Sequence, residues 1–206
     1  MDSPLDIAPV IPVAVFTDPE QAVGAARALV EGGVRVIEVT LRTEAALESV
    51  RRIAAEVGEL TVGAGTITAP EQAAAAVEAG AAFLVTPGTT DTVLDAVLAT
   101  GVPTLPGAAT VSEAMRLAER GFTELKFFPA AASGGPDYLR AINGPLPGLR
   151  FCPTGGIRPA TAGEYLELPN VGCIGGTWLT PADALAAGDY ARITQLAAES
   201  TQLHTS

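Results

Sequence analysis

A (β/α)8 barrel, α/β in class and built as one domain over residues 1–206, is the fold that this sequence predicts. Three observations predict it. Short apolar β-like runs alternate with Ala-rich helical stretches eight times, and Gly or Pro punctuates most junctions. A doubly wound open sheet would carry a Gly-rich turn after its first strand, where this chain has Phe16-Thr17-Asp18-Pro19.

In order, the strands are expected at Val10 to Phe16, Val34 to Thr40, Thr61 to Thr66, Ala81 to Pro87, Pro103 to Ala108, Glu124 to Ala130, Arg150 to Gly155 and Val171 to Trp178. Helices are expected between them, at Asp18 to Glu31, Thr43 to Val57, Pro70 to Ala79, Asp91 to Ala99, Ser112 to Arg120, Asp137 to Ile142 and Ala160 to Leu166. A last helical region runs from about Ala182 to Ser200, and residues 201–206 form a frayed tail. Asp18-Pro19 and Ala69-Pro70 place Pro in a first helical turn, while Gly32-Gly33, Gly80, Gly101 and Gly121 stop helices with the residue that tolerates left-handed geometry. No linker, low-complexity segment or charge block divides the chain.

Composition narrows the function. With 48% hydrophobic residues the chain can bury a sizeable core, and its net charge of -11 argues against nucleic acid and anionic membranes as partners. Met1-Asp2-Ser3-Pro4 lacks the basic and apolar regions of a signal peptide and no run of eighteen apolar residues appears, so a cytoplasmic setting is expected. Cys152 and Cys173 lie in apolar strand-like segments and read as small core residues. The sole histidine, His204, stands in the tail, so no metal site is implied.

One position breaks the pattern of charge. Lys126 is the only lysine among the 12 basic residues, and it sits between Leu125 and Phe127 in an apolar run. Arg stays protonated near neutral pH, whereas Lys can lose its proton in apolar or positively charged surroundings, and only a neutral amine attacks a carbonyl to form a Schiff base. The bland alternative is a strand-end lysine that snorkels towards Glu124.

In a barrel the chemistry sits at the carboxyl ends of the strands, so late polar residues in apolar strands carry the information. The side-chain period of two puts Val34, Val36, Glu38, Thr40 and Arg42 on one face and Ile37, Val39 and Leu41 on the other. The second set suits packing on helices, so the first faces the lumen; Glu38 and Arg42 are then either functional or an internal ion pair. The second and sixth strands lie opposite each other in an eight-stranded closure, which sets Glu38 facing Lys126 with Phe128 on the same inner face. Gly63-Ala64-Gly65-Thr66 offers close backbone approach and a hydroxyl, Thr86-Pro87-Gly88 an apolar wall, and Pro106-Gly107-Ala108 a small rim. The pairs Gly155-Gly156, after Thr154, and Gly175-Gly176, before Thr177, end the seventh and eighth strands, where barrels commonly hold a phosphate.

These residues resemble a known family, the class I 2-keto-3-deoxy-6-phosphogluconate aldolases that also act as 4-hydroxy-2-oxoglutarate aldolases. The likeness runs through Ile11-Pro12-Val13, Gly33 to Thr43, Val62 to Thr66, Lys126 to Ala130, Arg150 to Ile157 and Cys173 to Leu179. It implies Lys126 as the Schiff-base lysine and Glu38 as general acid/base. By the same resemblance Arg42 and Thr66 hold the substrate carboxylate, Pro87 and Phe128 line the pocket, and Thr154, Gly155, Gly156, Gly176 and Thr177 surround the phosphate end. It further implies retro-aldol cleavage of a phosphorylated keto acid to pyruvate and glyceraldehyde 3-phosphate, the Entner–Doudoroff step, without cofactor or metal, in a homotrimer. Three departures stand out: Thr177 replaces a common Ser, Ala131 and Ala132 stand where a glutamate is common, and the segment before the first strand is short, so that a helix capping the barrel floor is expected to be reduced. A phosphate-sugar isomerase or epimerase, and a non-catalytic binder of phosphorylated sugar acids, would keep the glycine pairs without needing an imine.

Overall fold

A computed structural model describes residues 3–203 and closes them into a parallel α/β barrel. In chain order the strands and helices are β1 (Val10–Ala14), α1 (Pro19–Glu31), β2 (Val36–Thr40), α2 (Ala46–Glu56), β3 (Thr61–Gly65), α3 (Pro70–Glu78), β4 (Phe83–Val85), α4 (Asp91–Thr100), β5 (Thr104–Leu105), β6 (Gly107–Ala108), α5 (Val111–Glu119), β7 (Glu124–Phe127), α6 (Gly135–Asn143), β8 (Arg150–Pro153), α7 (Pro159–Leu166), β9 (Ile174–Gly176), α8 (Ala182–Ala187) and α9 (Tyr190–Ser200). Hydrogen-bonded neighbours run β5-β4-β3-β2-β1-β9 and β6-β7-β8. Parallel bridges Phe151 to Val171 and Thr154 to Gly175 join β8 to the segment containing β9.

The other junction lies inside the predicted fifth strand, which Pro106 divides. Proline has no N–H to give to a ladder. Its carbonyl accepts from the Lys126 amide at 3.0 Å, on the β7 side only. Towards β4 the stitching passes to side chains: Thr86 Oγ1 accepts from the Gly107 amide at 2.9 Å, and Thr89 Oγ1 donates to the Gly107 carbonyl at 3.0 Å. A fully buried threonine thus takes the place of the missing ladder bond.

Strands buried on both faces explain the long apolar runs of the sequence. All five residues of β2 are buried, Ile37 and Val39 among the helix-facing apolar set and Glu38 and Thr40 on the inner one. Phe16, Phe83, Phe127 and Phe151 are the largest fully buried side chains among the described residues, and α1 and α3 each bury a face rich in alanine. Cys152 and Cys173 are both buried and free. Burial above all, and then hydrogen bonding with Cys152, pushes the Cys173 thiol well above its usual range, which suits an inert core residue.

Several boundaries differ from the sequence expectation. The first strand ends at Ala14 rather than Phe16, and the last helical region is two helices broken at Gly188, whose φ of +65 ends α8 before Asp189 caps α9 by accepting from the Arg192 amide. Before β1 the described residues form a 3-10 turn, Pro4–Asp6. Leu5 is buried by this turn against Gly172, while Asp6 and Glu124 both pair with Arg150. At the other terminus Thr201 caps α9 and Leu203 lies against the core; His204 is outside the described residues.

The floor contact generates a prediction. Leu5→Ala removes a side chain that is 1% exposed, so a loss of about 3 kcal/mol is expected in denaturant unfolding. Turnover per folded molecule should be unchanged, because Leu5 precedes β1 and lies at the end of the barrel opposite the carboxyl ends of the strands.

Candidate active site

The carboxyl ends of the strands surround a cavity of about 240 Å³ lined by Val13, Val15, Arg42, Lys126, Phe128, Thr154, Gly155, Gly156, Ile157, Gly175 and Thr177. Lys126 forms the reactive part of its wall. Its amide and that of Phe128 are tied to the β6 side by the carbonyls of Pro106 and Ala108, and β8 fixes the register from the other side through Lys126 opposite Cys152. The side chain therefore enters the lumen, and Glu124, the alternative partner considered from the sequence, is occupied by Arg150 and Ser3.

Across the lumen Lys126 Nζ donates to Glu38 Oε1 at 3.0 Å and to Oε2 at 3.2 Å. Lys126 is 5% exposed and Glu38 3%. The amine also lies 5.6 Å from the centre of the Phe128 ring, a cation–π distance. An amine, a carboxylate that can take or return its proton, and an adjacent open cavity are the parts that imine chemistry needs.

Arg42 emerges from the end of β2 just above Glu38. Hydroxyls hold this stretch against β1: Thr40 Oγ1 donates to the Ala14 carbonyl at 3.0 Å, and Thr43 Oγ1 donates to the Phe16 carbonyl. Arg42 Nε donates to Thr66 Oγ1 at 3.3 Å, which uses one edge of the guanidinium and leaves its terminal nitrogens for a carboxylate. Thr66 has φ of +62, a left-handed conformation that a β-branched residue adopts at a cost of about 1–2 kcal/mol. Strain of this kind concentrates where geometry serves function.

The opposite end of the cavity is made of small residues. Gly155 and Gly156 have φ of +103 and +76, so the chain turns there in a way that L side chains resist, and a methyl on Gly155 would stand 3.2 Å from the Phe128 ring. A methyl on Gly156 would stand 2.6 Å from Ala131 Cβ, so the alanine at one of the family departures is seated against this turn. Thr154 is buried with its hydroxyl near the Cys152 carbonyl, and Thr177 stands exposed at the rim.

Of the residues singled out from sequence, Lys126, Arg42, Phe128, Thr154, Gly155, Gly156 and Thr177 line the cavity, Glu38 sits behind Lys126, and Thr66 contacts it through Arg42. Pro87 backs onto Gly107 and is not among the lining residues; Gly176 is overlain by the Trp178 ring, and its neighbour Gly175 lines the cavity instead. Val13, Val15 and Ile157 were not singled out. The period-two alternation of Val13 and Val15 was the signal for the first two.

The family described as KDPG and KHG aldolase matches residues 1–196. The KHG/KDPG aldolase of Escherichia coli K12 is 54% identical over 201 residues, covering 98% of this chain and 94% of that one. Among solved structures, the KDPG aldolase of Legionella pneumophila, with pyruvate captured at low pH as a covalent carbinolamine intermediate, superposes with a TM-score of 0.94 at 42% identity, covering 96% of each chain. The Zymomonas mobilis ZM4 enzyme, solved with 3-phosphoglycerate, gives 0.92 at 41% identity over 98% of this chain and 95% of that one.

The tether on Arg42 is testable. Thr66→Gly removes the hydroxyl and the left-handed penalty together, so the variant should unfold at a midpoint no lower than the wild type. Its KM for a 2-keto acid substrate should rise roughly tenfold, for the loss of one charge-assisted hydrogen bond. Thermal unfolding and steady-state kinetics measure the two effects.

Proposed function

We propose that this chain, which belongs to the KDPG and KHG aldolase family, is a Schiff-base aldolase in which Lys126 is the nucleophile and Glu38 moves the protons. The observation that carries the proposal is the buried contact of 3.0 Å between Lys126 Nζ and Glu38 Oε1 at the edge of the cavity. The covalent pyruvate adduct of the Legionella relative supports the same chemistry.

The substrate enters with its carboxylate on the terminal nitrogens of Arg42, which brings the adjacent C2 ketone to Lys126. Glu38 takes a proton from the ammonium group, and the neutral amine adds to C2 to give a carbinolamine. Glu38 returns a proton to the departing hydroxyl; water leaves, and an iminium remains. That cation is an electron sink conjugated to C3, so the reaction does not call for a Lewis acid.

Glu38 then removes the C4 hydroxyl proton. The C4–O electrons form the aldehyde, the C3–C4 bond breaks, and its pair flows into the iminium to leave an enamine. Protonation at C3 and addition of water release pyruvate and regenerate the amine. With 2-keto-3-deoxy-6-phosphogluconate the other product is glyceraldehyde 3-phosphate; with 4-hydroxy-2-oxoglutarate it is glyoxylate. Thr154, Gly155, Gly156, Gly175 and Thr177 are proposed to receive the distal phosphate, and Phe128 to form apolar wall. The homotrimer that the resemblance implies and the cytoplasmic setting expected from the sequence belong to the same proposal.

Borohydride reduction with pyruvate should leave a mass adduct on the peptide that contains Lys126. An unmodified peptide in an active enzyme sinks the imine. Lys126→Arg keeps a cation beside Glu38 but cannot form the adduct, so it should fold and lose turnover by about 10⁴-fold or more. Glu38→Gln should lower kcat by about 10²–10⁴-fold. A coupled assay of pyruvate release reads both.

A further inference from the structure

We infer that Gly65 is a positioning residue of this site: the space left by its missing side chain is the seat of the Glu38 carboxylate. The inference rests on the assignment of Glu38 as the proton carrier and concerns what holds that group against Lys126. β2 and β3 are parallel neighbours with Glu38 opposite Gly63 and Thr40 opposite Gly65. Glu38 leans along the strand direction from its own register position, so that its carboxyl end comes to rest over Gly65. A Cβ on Gly65 would overlap Glu38 Oε1 and stand 2.5 Å from both Cδ and Cγ.

The backbone does not ask for glycine at this position. Gly65 is absent from the positive-φ residues, and it lies within a regular parallel strand, where alanine is sterically allowed. The nearest atoms to the added methyl all belong to Glu38, with no backbone atom among them. The contrast with Gly107 is clear, since a methyl there would strike the backbone of Pro87 and Thr86. At Gly65 the collision is with one flexible side chain, and that side chain is the one that handles protons.

A carboxylate has few other places to go. Glu38 is 3% exposed, and its two oxygens are 3.0 and 3.2 Å from Lys126 Nζ. Displacing it by the radius of a methyl group lengthens the contact with the amine beyond hydrogen-bond reach, which leaves the buried ammonium without its partner. The same glycine precedes Thr66, so the end of β3 serves both halves of the site: one residue makes room for Glu38 and the next tethers Arg42.

Gly65→Ala is the test, with stability and kinetics read together. The unfolding midpoint should fall in the wild-type background and stay unchanged in the Glu38→Ala background, where the methyl meets empty space. In the single variant kcat should fall about 10²-fold, with KM for the keto acid changed much less, because Arg42 is untouched. Equal loss of stability in both backgrounds, including failure of both proteins to fold, overturns the inference, as does a kcat within about threefold of wild type. Borohydride trapping of pyruvate on the wild-type enzyme separates the two levels: no trapped lysine removes the imine itself, whereas a trapped lysine with a fully active Gly65→Ala enzyme removes only the role of Gly65.

Discussion

An ammonium group and a carboxylate lie almost wholly out of water within a barrel whose other buried side chains, among the described residues, are uncharged, and the arrangement of the strand ends follows from keeping them there. Such a pair is a poor way to stabilise a fold. Removing each ion from water costs several kcal/mol, which mutual attraction offsets only with close geometry, and a hydrophobic pair of similar volume often serves stability as well or better. Breaking the pair is a different matter, since it strands a buried charge. The barrel therefore carries a constraint that packing alone would not choose, and β2, β3 and β7 must hold their registers closely enough to keep two contacts near 3 Å.

That constraint explains features that look unrelated in the sequence. Lys126 takes its register from Pro106 on one side and Cys152 on the other, and next to Pro106 the Gly107 amide is accepted by Thr86 in place of a ladder bond. Thr40 and Thr43 clamp the end of β2 to the β1 region and so fix where Arg42 starts. The ions and their supports are connected by short contacts through strand ends rather than through mobile loops, which suits chemistry that depends on sub-ångström distances.

What could be read in advance followed from composition and period. A single lysine in a chain that otherwise uses arginine, and an inward parity shared by Glu38, Thr40 and Arg42, were enough to place an amine and a carboxylate on facing strands. The barrel followed from repeated strand and helix signals, and the glycines that line the cavity from their place after the late strands. Features set by three-dimensional neighbours were not legible. Gly65 looks like any strand glycine until Glu38 is seen over it, Thr66 gives no hint of its positive φ, and Gly175 and Gly176 are indistinguishable until Trp178 covers one of them. Two misses did have a local signal: the Gly188-Asp189 stop and cap that splits the last helical region, and the alternation that turns Val13 and Val15 towards the cavity.

The distribution of charge within the cavity bears on how a doubly anionic substrate could find its orientation. Among the residues lining it, the cations are Arg42 and Lys126, and both belong to the end built around Glu38, since Arg42 is held by the threonine that follows Gly65. The far end offers the hydroxyls of Thr154 and Thr177 and glycine backbone without a side-chain cation. A second guanidinium there would bind a phosphate more strongly, and it would also bind the carboxylate of a reversed substrate, with the ketone then out of reach of the amine. In the proposed binding mode, confining the cations to one end makes the reversed mode the weaker one. In a protein whose net charge is -11 that local asymmetry also supplies the attraction that the overall field opposes. Weak dipolar contacts at the distal end are thus a consistent partner to a strong ionic contact at the reacting end, because selectivity of orientation depends on the difference between the two ends rather than on their sum.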